Sequence, residues 1–135
     1  MIGRSFEHKI KIYYQDTDCE GVVYYANYLT YLERSRMECL EELGFDLKKL
    51  KEKGILFVVA SVDIRYLLPA YLADILLLKT YITKVGVASL NFYCEIYNKS
   101  LLINKSNVTL VCIDDNFKPQ PLTEQLRDKF KECLQ

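Results

Sequence analysis

The strongest constraint on the fold is a change in hydrophobic period near residue 55, from about 3.6 residues to about 2. Before it, one long segment, from Tyr25 or Asn27 to Leu43, predicts a helix about 26 Å long. The predicted buried face consists of Tyr28, Leu29, Leu32, Arg36, Cys39, Leu40 and Leu43. Gly44 follows directly, at the position where glycine most often ends a helix.

After the change, four segments are rich in the β-branched and aromatic side chains that favour strands. They are Leu56–Tyr66, Ile75–Val85, Leu90–Asn98 and Leu101–Ile113. Their short connections favour antiparallel neighbours. Phe6–Tyr14, ahead of the long helix, alternates apolar and polar residues and predicts a fifth strand. Asp46–Lys53 predicts a short helical turn, and Leu122–Leu134 predicts an amphipathic surface helix.

The predicted order is strand, long helix, four strands and terminal helix, within one domain covering residues 1–135. A lone helix can bury its apolar face when one antiparallel sheet curls around it. The sequence therefore predicts an α+β fold, with a long central helix wrapped by a five-stranded antiparallel sheet and a C-terminal helix. Such a sheet leaves edge strands open, so we expect pairing with a second copy of the chain.

Charge and cysteine content argue against several functions. Lys and Arg number 18, as do Asp and Glu, and no basic stripe indicates a nucleic-acid partner. No apolar run approaches the length of a membrane span. Five cysteines without CxxC spacing and a single histidine argue against a metal site, and the cysteine pattern suits a reducing cytoplasm.

The turn before the long helix is the candidate chemical site. Asp16-Thr17-Asp18-Cys19-Glu20-Gly21 places two carboxylates ahead of a helix N-terminus, whose free N–H groups can stabilise an oxyanion. One interpretation is that Asp16 or Asp18 only caps the helix or the turn, because Asp is a favoured capping residue. The other is that one carboxylate acts on a bound carbonyl group or on water.

The wider sequence resembles one enzyme family. The matching residues are Asp16–Asp18, Gly21–Tyr28 and Tyr31–Arg36, and beyond them Ile55–Val59, Val62–Tyr66, Pro69, Ala70, Asp74, Ala88–Leu90 and Val111–Asp114. They resemble the 4-hydroxybenzoyl-CoA thioesterase family, and within it the YbgC-like group of bacterial acyl-CoA thioesterases. The block from Asp18 to Glu33 is the specific part of this match.

That resemblance implies a hotdog fold and hydrolysis of acyl-CoA thioesters without a metal or organic cofactor. It also implies a homodimer, often doubled to a homotetramer, with active sites at the subunit interface. The related bacterial group is often associated with lipid and envelope metabolism. The acyl donor is expected to be acyl-CoA, with an acyl carrier protein as the alternative.

The resemblance also implies roles for individual residues. The family's catalytic aspartate falls on Asp18, as nucleophile or general base. The backbone N–H near Tyr25 falls where the family polarises the thioester carbonyl. Many YbgC-like proteins have histidine where this chain has Tyr25, so no histidine acid or base acts at this position. The predicted substrate-binding residues are Gly21, Val22, Tyr24, Ser89 and Arg65; for Arg65, which could meet CoA phosphates, a plain surface charge is the alternative.

Two rival functions follow from the same sequence. A hotdog acyl dehydratase needs a histidine paired with an acid near the helix, and the only histidine, His8, lies on the apolar face of the first predicted strand. A non-catalytic module that binds acyl-CoA or an acyl carrier protein would keep the groove but would not need Asp18. Cys19 has no histidine beside it to activate its thiol, which argues against a cysteine nucleophile.

Overall fold

The computed structural model describes residues 3–134. The strands are β1 (Ser5–Lys11), β2 (Leu56–Tyr66), β3 (Ile75–Val85), β4 (Ser89–Asn98) and β5 (Leu101–Ile113), and the helices are α1 (Asn27–Glu42), α2 (Leu47–Glu52) and α3 (Glu124–Glu132). All neighbouring strands are antiparallel, in the order β1-β3-β4-β5-β2. The predicted α+β architecture, with its long helix, five-stranded sheet and C-terminal helix, is therefore confirmed.

The first strand is shorter than predicted. It ends at Lys11 rather than Tyr14, because the chain turns into a short 3-10 helix, Tyr14–Asp16. The Tyr13 N–H donates a hydrogen bond to Asp16 Oδ2 at 2.8 Å, which closes this turn. Tyr14 is consequently 80% exposed instead of lying on the buried face of the strand.

Helix α1 buries a more polar face than its sequence predicts. The buried residues are Tyr28, Tyr31, Leu32, Ser35, Arg36, Cys39 and Leu40. Leu29, predicted to be buried, is 44% exposed, whereas Tyr31 and Ser35 take its place. The buried residues still follow helical spacing. Ser35 can be buried because its hydroxyl forms a hydrogen bond with the Thr80 hydroxyl of the sheet, so no polar group is left unpaired there.

A polar row crosses the core beneath α1 and separates two apolar clusters. Thr80, Cys94 and Ser106 are direct cross-strand neighbours on β3, β4 and β5, so their side chains share the helix-facing side of the sheet. On one side of the row lies a cluster around Phe92 and Phe130, and on the other a cluster around Tyr31 and further side chains of β3 and β4. α3 completes the first cluster.

Strand β2 lies at one edge of the sheet, and among residues 3–134 it pairs only with β5. Val59 and Val62 face the helix side, since they pair with the buried Leu110 and Val108, yet they are 49% and 41% exposed. α1 does not cover this part of the sheet. Within residues 3–134, no helix has the length and apolar character needed to cross a membrane.

Candidate active site

The segment before α1 is held by Asp16. Its backbone carbonyl accepts hydrogen bonds from the Tyr24 N–H at 2.9 Å and from Asn27 Nδ2 at 2.8 Å. Its carboxylate accepts the Tyr13 N–H. Asp16 therefore organises the loop, and its carboxylate is already engaged by the backbone.

Asp18 lies two residues on, at the start of a tight turn. The Asp18 N–H donates to the Val22 carbonyl at 2.9 Å, and the Gly21 N–H donates to the Asp18 carbonyl at 3.0 Å. Gly21 has a φ of +81°, a left-handed conformation that favours glycine, so the turn depends on this residue. Asp18 Oδ1 accepts the Glu20 N–H at 2.8 Å, while Asp18 Oδ2 has no hydrogen-bond partner among residues 3–134. One carboxylate oxygen of Asp18 is thus exposed and free.

Helix α1 begins without a side-chain cap. Its N-cap residue is Ala26, and no side chain accepts a hydrogen bond from the first turn of the helix. In the described chain, the backbone N–H groups of Tyr25 and Ala26 have no acceptor. Neither Asp16 nor Asp18 caps the helix, although each closes a local turn. Alanine at the N-cap lowers the stability of a helix by about 1 kcal/mol relative to Ser or Asp. It also leaves these two N–H donors available to a ligand.

Four tyrosines surround the beginning of α1. The rings of Tyr24 and Tyr25 have centroids 4.9 Å apart, and those of Tyr28 and Tyr66 have centroids 5.5 Å apart. The Tyr66 hydroxyl donates to the Tyr25 carbonyl at 3.0 Å, which ties the end of β2 to the start of the helix. A groove of about 310 Å³ is lined by Val23, Tyr25, Tyr28, Tyr66, Leu67, Leu68 and Pro69. This end of the molecule therefore offers an aromatic surface beside free N–H groups.

Three of these tyrosines, Tyr24, Tyr28 and Tyr66, have a raised pKa and stay protonated at neutral pH. The neighbouring Tyr25 hydroxyl, together with slight burial and the Asp18 charge, raises the pKa of Tyr24. Burial raises the pKa of Tyr28 and also that of Tyr66. These groups can donate hydrogen bonds, but none is a base at neutral pH.

The remaining predicted binding residues are distributed unevenly. Val22 bridges to Tyr71, which fastens the Asp18 turn to the loop after β2. Ser89 begins β4 and lies in the same row as Val58, at the far end of the sheet. Arg65 extends from the outer face of β2 and pairs with Asp63 at 3.6 Å. Within one subunit, Gly21, Val22, Tyr24 and Tyr25 lie with Asp18, while Ser89 and Arg65 lie elsewhere and stay predictions.

His8 lies far from Asp18 and the tyrosine cluster. It occupies the same cross-sheet row as Tyr66, but on the opposite edge strand. Four strand spacings separate them, which is about 19 Å. An acid–histidine pair with Asp18, as a dehydratase would require, is therefore not assembled within the subunit. In the described part of the chain, no group of three or more His, Cys, Asp or Glu residues could hold a metal ion.

Sequence reasoning from periodicity missed the roles of Asp16 and Tyr66. Asp16 shares the turn with Asp18, and only the hydrogen bonds distinguish the structural carboxylate from the free one. Tyr66 is one aromatic residue at the end of a strand, and its contact with Tyr25 depends on how that strand meets the helix. No local sequence signal marks such a contact.

Comparison with known proteins places this chain in a family. The model of the thioesterase superfamily matches residues 20–103, a span that begins two residues after Asp18. The acyl-CoA thioester hydrolase YbgC of Escherichia coli O6:H1 is 36% identical over 129 residues, covering 94% of this chain and 96% of that protein. The acyl-CoA thioesterase YbgC of Haemophilus influenzae is 33% identical, covering 96% of this chain and 97% of that protein.

A solved structure gives the same result for the fold. The DHNA-CoA thioesterase of Staphylococcus aureus superposes with a TM-score of 0.89 and 28% identity, covering 98% of this chain and 89% of that one. The chain belongs to the thioesterase superfamily, whose enzymes hydrolyse thioesters, and it has the hotdog fold. Within that superfamily it is YbgC-like, as its sequence predicts.

Proposed function

We propose that this enzyme hydrolyses acyl-CoA thioesters at the segment formed by Asp18 and the start of α1. The observation that supports this proposal is the free Asp18 Oδ2 beside an uncapped helix whose Tyr25 and Ala26 N–H groups have no acceptor among residues 3–134. A carboxylate and backbone N–H donors are groups that enzymes of acyl transfer use. The curated names of the Escherichia coli and Haemophilus influenzae relatives agree with this chemistry.

Two routes use the same groups. As general base, Asp18 takes a proton from water, the water oxygen attacks the thioester carbon, and the C–S bond breaks. As nucleophile, the carboxylate attacks that carbon, expels CoA thiolate, and forms an anhydride that water then hydrolyses. In both routes the carbonyl oxygen becomes negative and is stabilised by the Tyr25 and Ala26 N–H groups. The products are a carboxylic acid and CoA, whose thiolate takes up a proton.

The direct test is release of free CoA thiol from a panel of acyl-CoAs. The panel contains acetyl-, butyryl-, hexanoyl-, palmitoyl- and benzoyl-CoA, with the preferred acyl group also presented on an acyl carrier protein. We expect hydrolysis of at least one member without added metal. Binding of these compounds without any thiol release would instead identify a non-catalytic acyl-binding module.

We also propose a homodimer formed through the edge strand β2. Its outer edge has free backbone groups, and its helix-facing valines are only partly covered. If two copies of β2 pair antiparallel about a two-fold axis, the Leu56 end of one subunit meets the Tyr66 end of the other. Ser89 lies in the row of Val58 on the outer face of the sheet, so this pairing does not bring it to the partner's tyrosine cluster and its binding role stays a prediction from the sequence. Two such dimers can associate further into a tetramer.

Val62→Asp tests this interface. Val62 is 41% exposed on the helix side of the edge strand, so a carboxylate there would be buried by the partner. We expect this variant to become monomeric and to lose at least about tenfold in kcat/KM, because each site then lacks the partner's contribution. Light scattering after size-exclusion chromatography gives the mass, and thiol release gives the activity.

Leu101→Asp is the matched control for this variant. Leu101 is 60% exposed at the start of β5, outside the part of that strand that pairs with β2, and it should tolerate the same change. Unchanged mass of the Val62→Asp variant would contradict the interface. A fully active monomer would contradict the shared site.

The cytoplasm remains our proposed location. Residues 3–134 include five free cysteines, of which only Cys19 is exposed. Free thiols persist in a reducing compartment.

A further inference from the structure

The Tyr25 carbonyl and the Ala26 N–H belong to the same peptide group, so a hydrogen bond at one end of this group acts on the other end. Among residues 3–134, the one donor to this carbonyl is the Tyr66 hydroxyl, at 3.0 Å. Helix α1 does not supply a donor, because the Leu29 N–H bonds to the Ala26 carbonyl instead. Tyr66 therefore holds the peptide group that carries one of the two proposed oxyanion donors.

The other proposed donor, the Tyr25 N–H, is held in a different way. It belongs to the peptide group whose carbonyl is that of Tyr24, and this carbonyl accepts the Asn27 N–H at 2.9 Å. Both partners of that bond are backbone groups from the same turn. Of the two donors, it is the Ala26 N–H whose peptide group depends on a side chain from a distant part of the chain.

The Tyr66 side chain is held in place by its surroundings. Tyr66 is the last residue of β2, and the next N–H, that of Leu67, donates to the Ile103 carbonyl at 2.9 Å. The Tyr66 ring lies edge-on to Tyr28 and Tyr25, with centroids 5.5 Å and 6.4 Å away. Burial raises the pKa of Tyr66, so the hydroxyl keeps the proton that it donates. A group fixed in this way needs no rearrangement when negative charge develops nearby.

We infer that Tyr66 is a positioning residue, which orients and strengthens the Ala26 N–H as a donor to the thioester carbonyl. This inference rests on the proposed function. A hydrogen bond to the Tyr25 carbonyl oxygen draws electron density toward that oxygen, which makes the N–H of the same peptide group a stronger donor. A phenol has a single O–H, and here it is engaged by the carbonyl, so the Tyr66 hydroxyl acts on the substrate only through the peptide group.

Tyr66→Phe removes the hydroxyl and keeps the ring that packs against Tyr25 and Tyr28. We expect kcat to fall about tenfold, less than the roughly 100-fold effect of losing a whole oxyanion donor, with KM within about twofold of the original. Tyr14→Phe is the matched control, because Tyr14 is 80% exposed and lies outside the tyrosine-lined groove, and it should keep full activity. A raised KM with unchanged kcat would overturn the inference, since it would place the Tyr66 hydroxyl on bound substrate.

Ala26→Pro tests whether Tyr66 acts through the Ala26 N–H. Ala26 has a φ of −71°, within the range that proline adopts, and its N–H has no acceptor to lose among residues 3–134. In the Ala26→Pro background, Tyr66→Phe should lower kcat by less than about twofold, because the donor through which it acts is gone. A full loss of about tenfold in that background would overturn the inference. Thermal melting verifies the fold of each variant.

Nuclear magnetic resonance of the substrate-free protein gives a measure that needs no turnover. A hydrogen bond at a peptide carbonyl moves the amide nitrogen resonance of the next residue downfield. Tyr66→Phe should therefore move the Ala26 resonance upfield and that of Tyr25 less, and an unmoved Ala26 resonance would overturn the inference. Full kcat in Tyr66→Phe would also overturn it and leave the thioesterase proposal standing. If the original enzyme released no thiol, the proposed function would fail, and the Ala26 resonance would still show whether Tyr66 controls this N–H.

Discussion

Replacing Asp18 with asparagine should lower kcat for thioester hydrolysis by at least about 100-fold, with KM changed little. Asparagine keeps the side-chain shape, and its carbonyl oxygen can still accept the Glu20 N–H that closes the turn. Only the charge and basicity of the carboxylate are lost. The measurement is CoA thiol release with the preferred acyl-CoA, at substrate concentrations that separate kcat from KM.

Cys19→Ala is the matched control, because Cys19 is the adjacent exposed residue and its thiol has no predicted role. It should retain full activity. A circular dichroism spectrum and melting temperature close to those of the original protein verify that Asp18→Asn is folded. Near-normal kcat in the Asp18→Asn variant would exclude Asp18 as both nucleophile and general base.

Tyr25 should matter through its backbone and not through its phenol. Tyr25→Phe keeps the free N–H, and we expect kcat within about threefold of the original, since the proposed mechanism uses this backbone donor and not the phenol. Tyr25→Pro removes the N–H and should lower kcat about 100-fold, the effect of losing one oxyanion donor. Steady-state kinetics of the two variants separate the side chain from the backbone.

The proline variant needs a structural control, because proline also restricts the preceding residue. Thermal melting and acyl-CoA binding show whether the loop before α1 is retained. Equal losses in Tyr25→Phe and Tyr25→Pro would assign the role to the hydroxyl. Full activity in a correctly folded Tyr25→Pro variant would show that this N–H does not polarise the carbonyl.

Much of the fold could be predicted from periodicity. A half-buried strand buries every second side chain, and an amphipathic helix buries a stripe of side chains three or four residues apart. The bounds of β2, β3 and β5 agree with the prediction, and those of α1 differ only at its ends. The errors are local. β1 ends early because Asp16 closes a turn, and α1 buries Ser35 because Thr80 can satisfy its hydroxyl. Both depend on hydrogen bonds that hydrophobicity does not encode.

The candidate site was less accessible to sequence reasoning. The resemblance singled out Asp18, whereas the carboxylate pattern alone favoured capping over catalysis. The capping of α1 is decided by Ala26, whose methyl group accepts nothing. The partner of the buried Ser35 hydroxyl is Thr80 on β3, 45 residues further along the chain, so the contact depends on which strand lies beneath α1. Such contacts depend on how strands distant in sequence align beneath the helix, which a single sequence does not state.

The sheet order also has a consequence during synthesis. β2 has a single neighbour within the subunit, β5, and β5 is the last strand to be made. From Tyr66 to Ile113 the ribosome adds 113 − 66 = 47 residues, and at about 5–20 residues per second this takes roughly 2–9 s. Throughout that interval β2 lacks its native partner strand. We therefore expect a chain truncated before β5 to aggregate through its unpaired β2 instead of forming a smaller native domain.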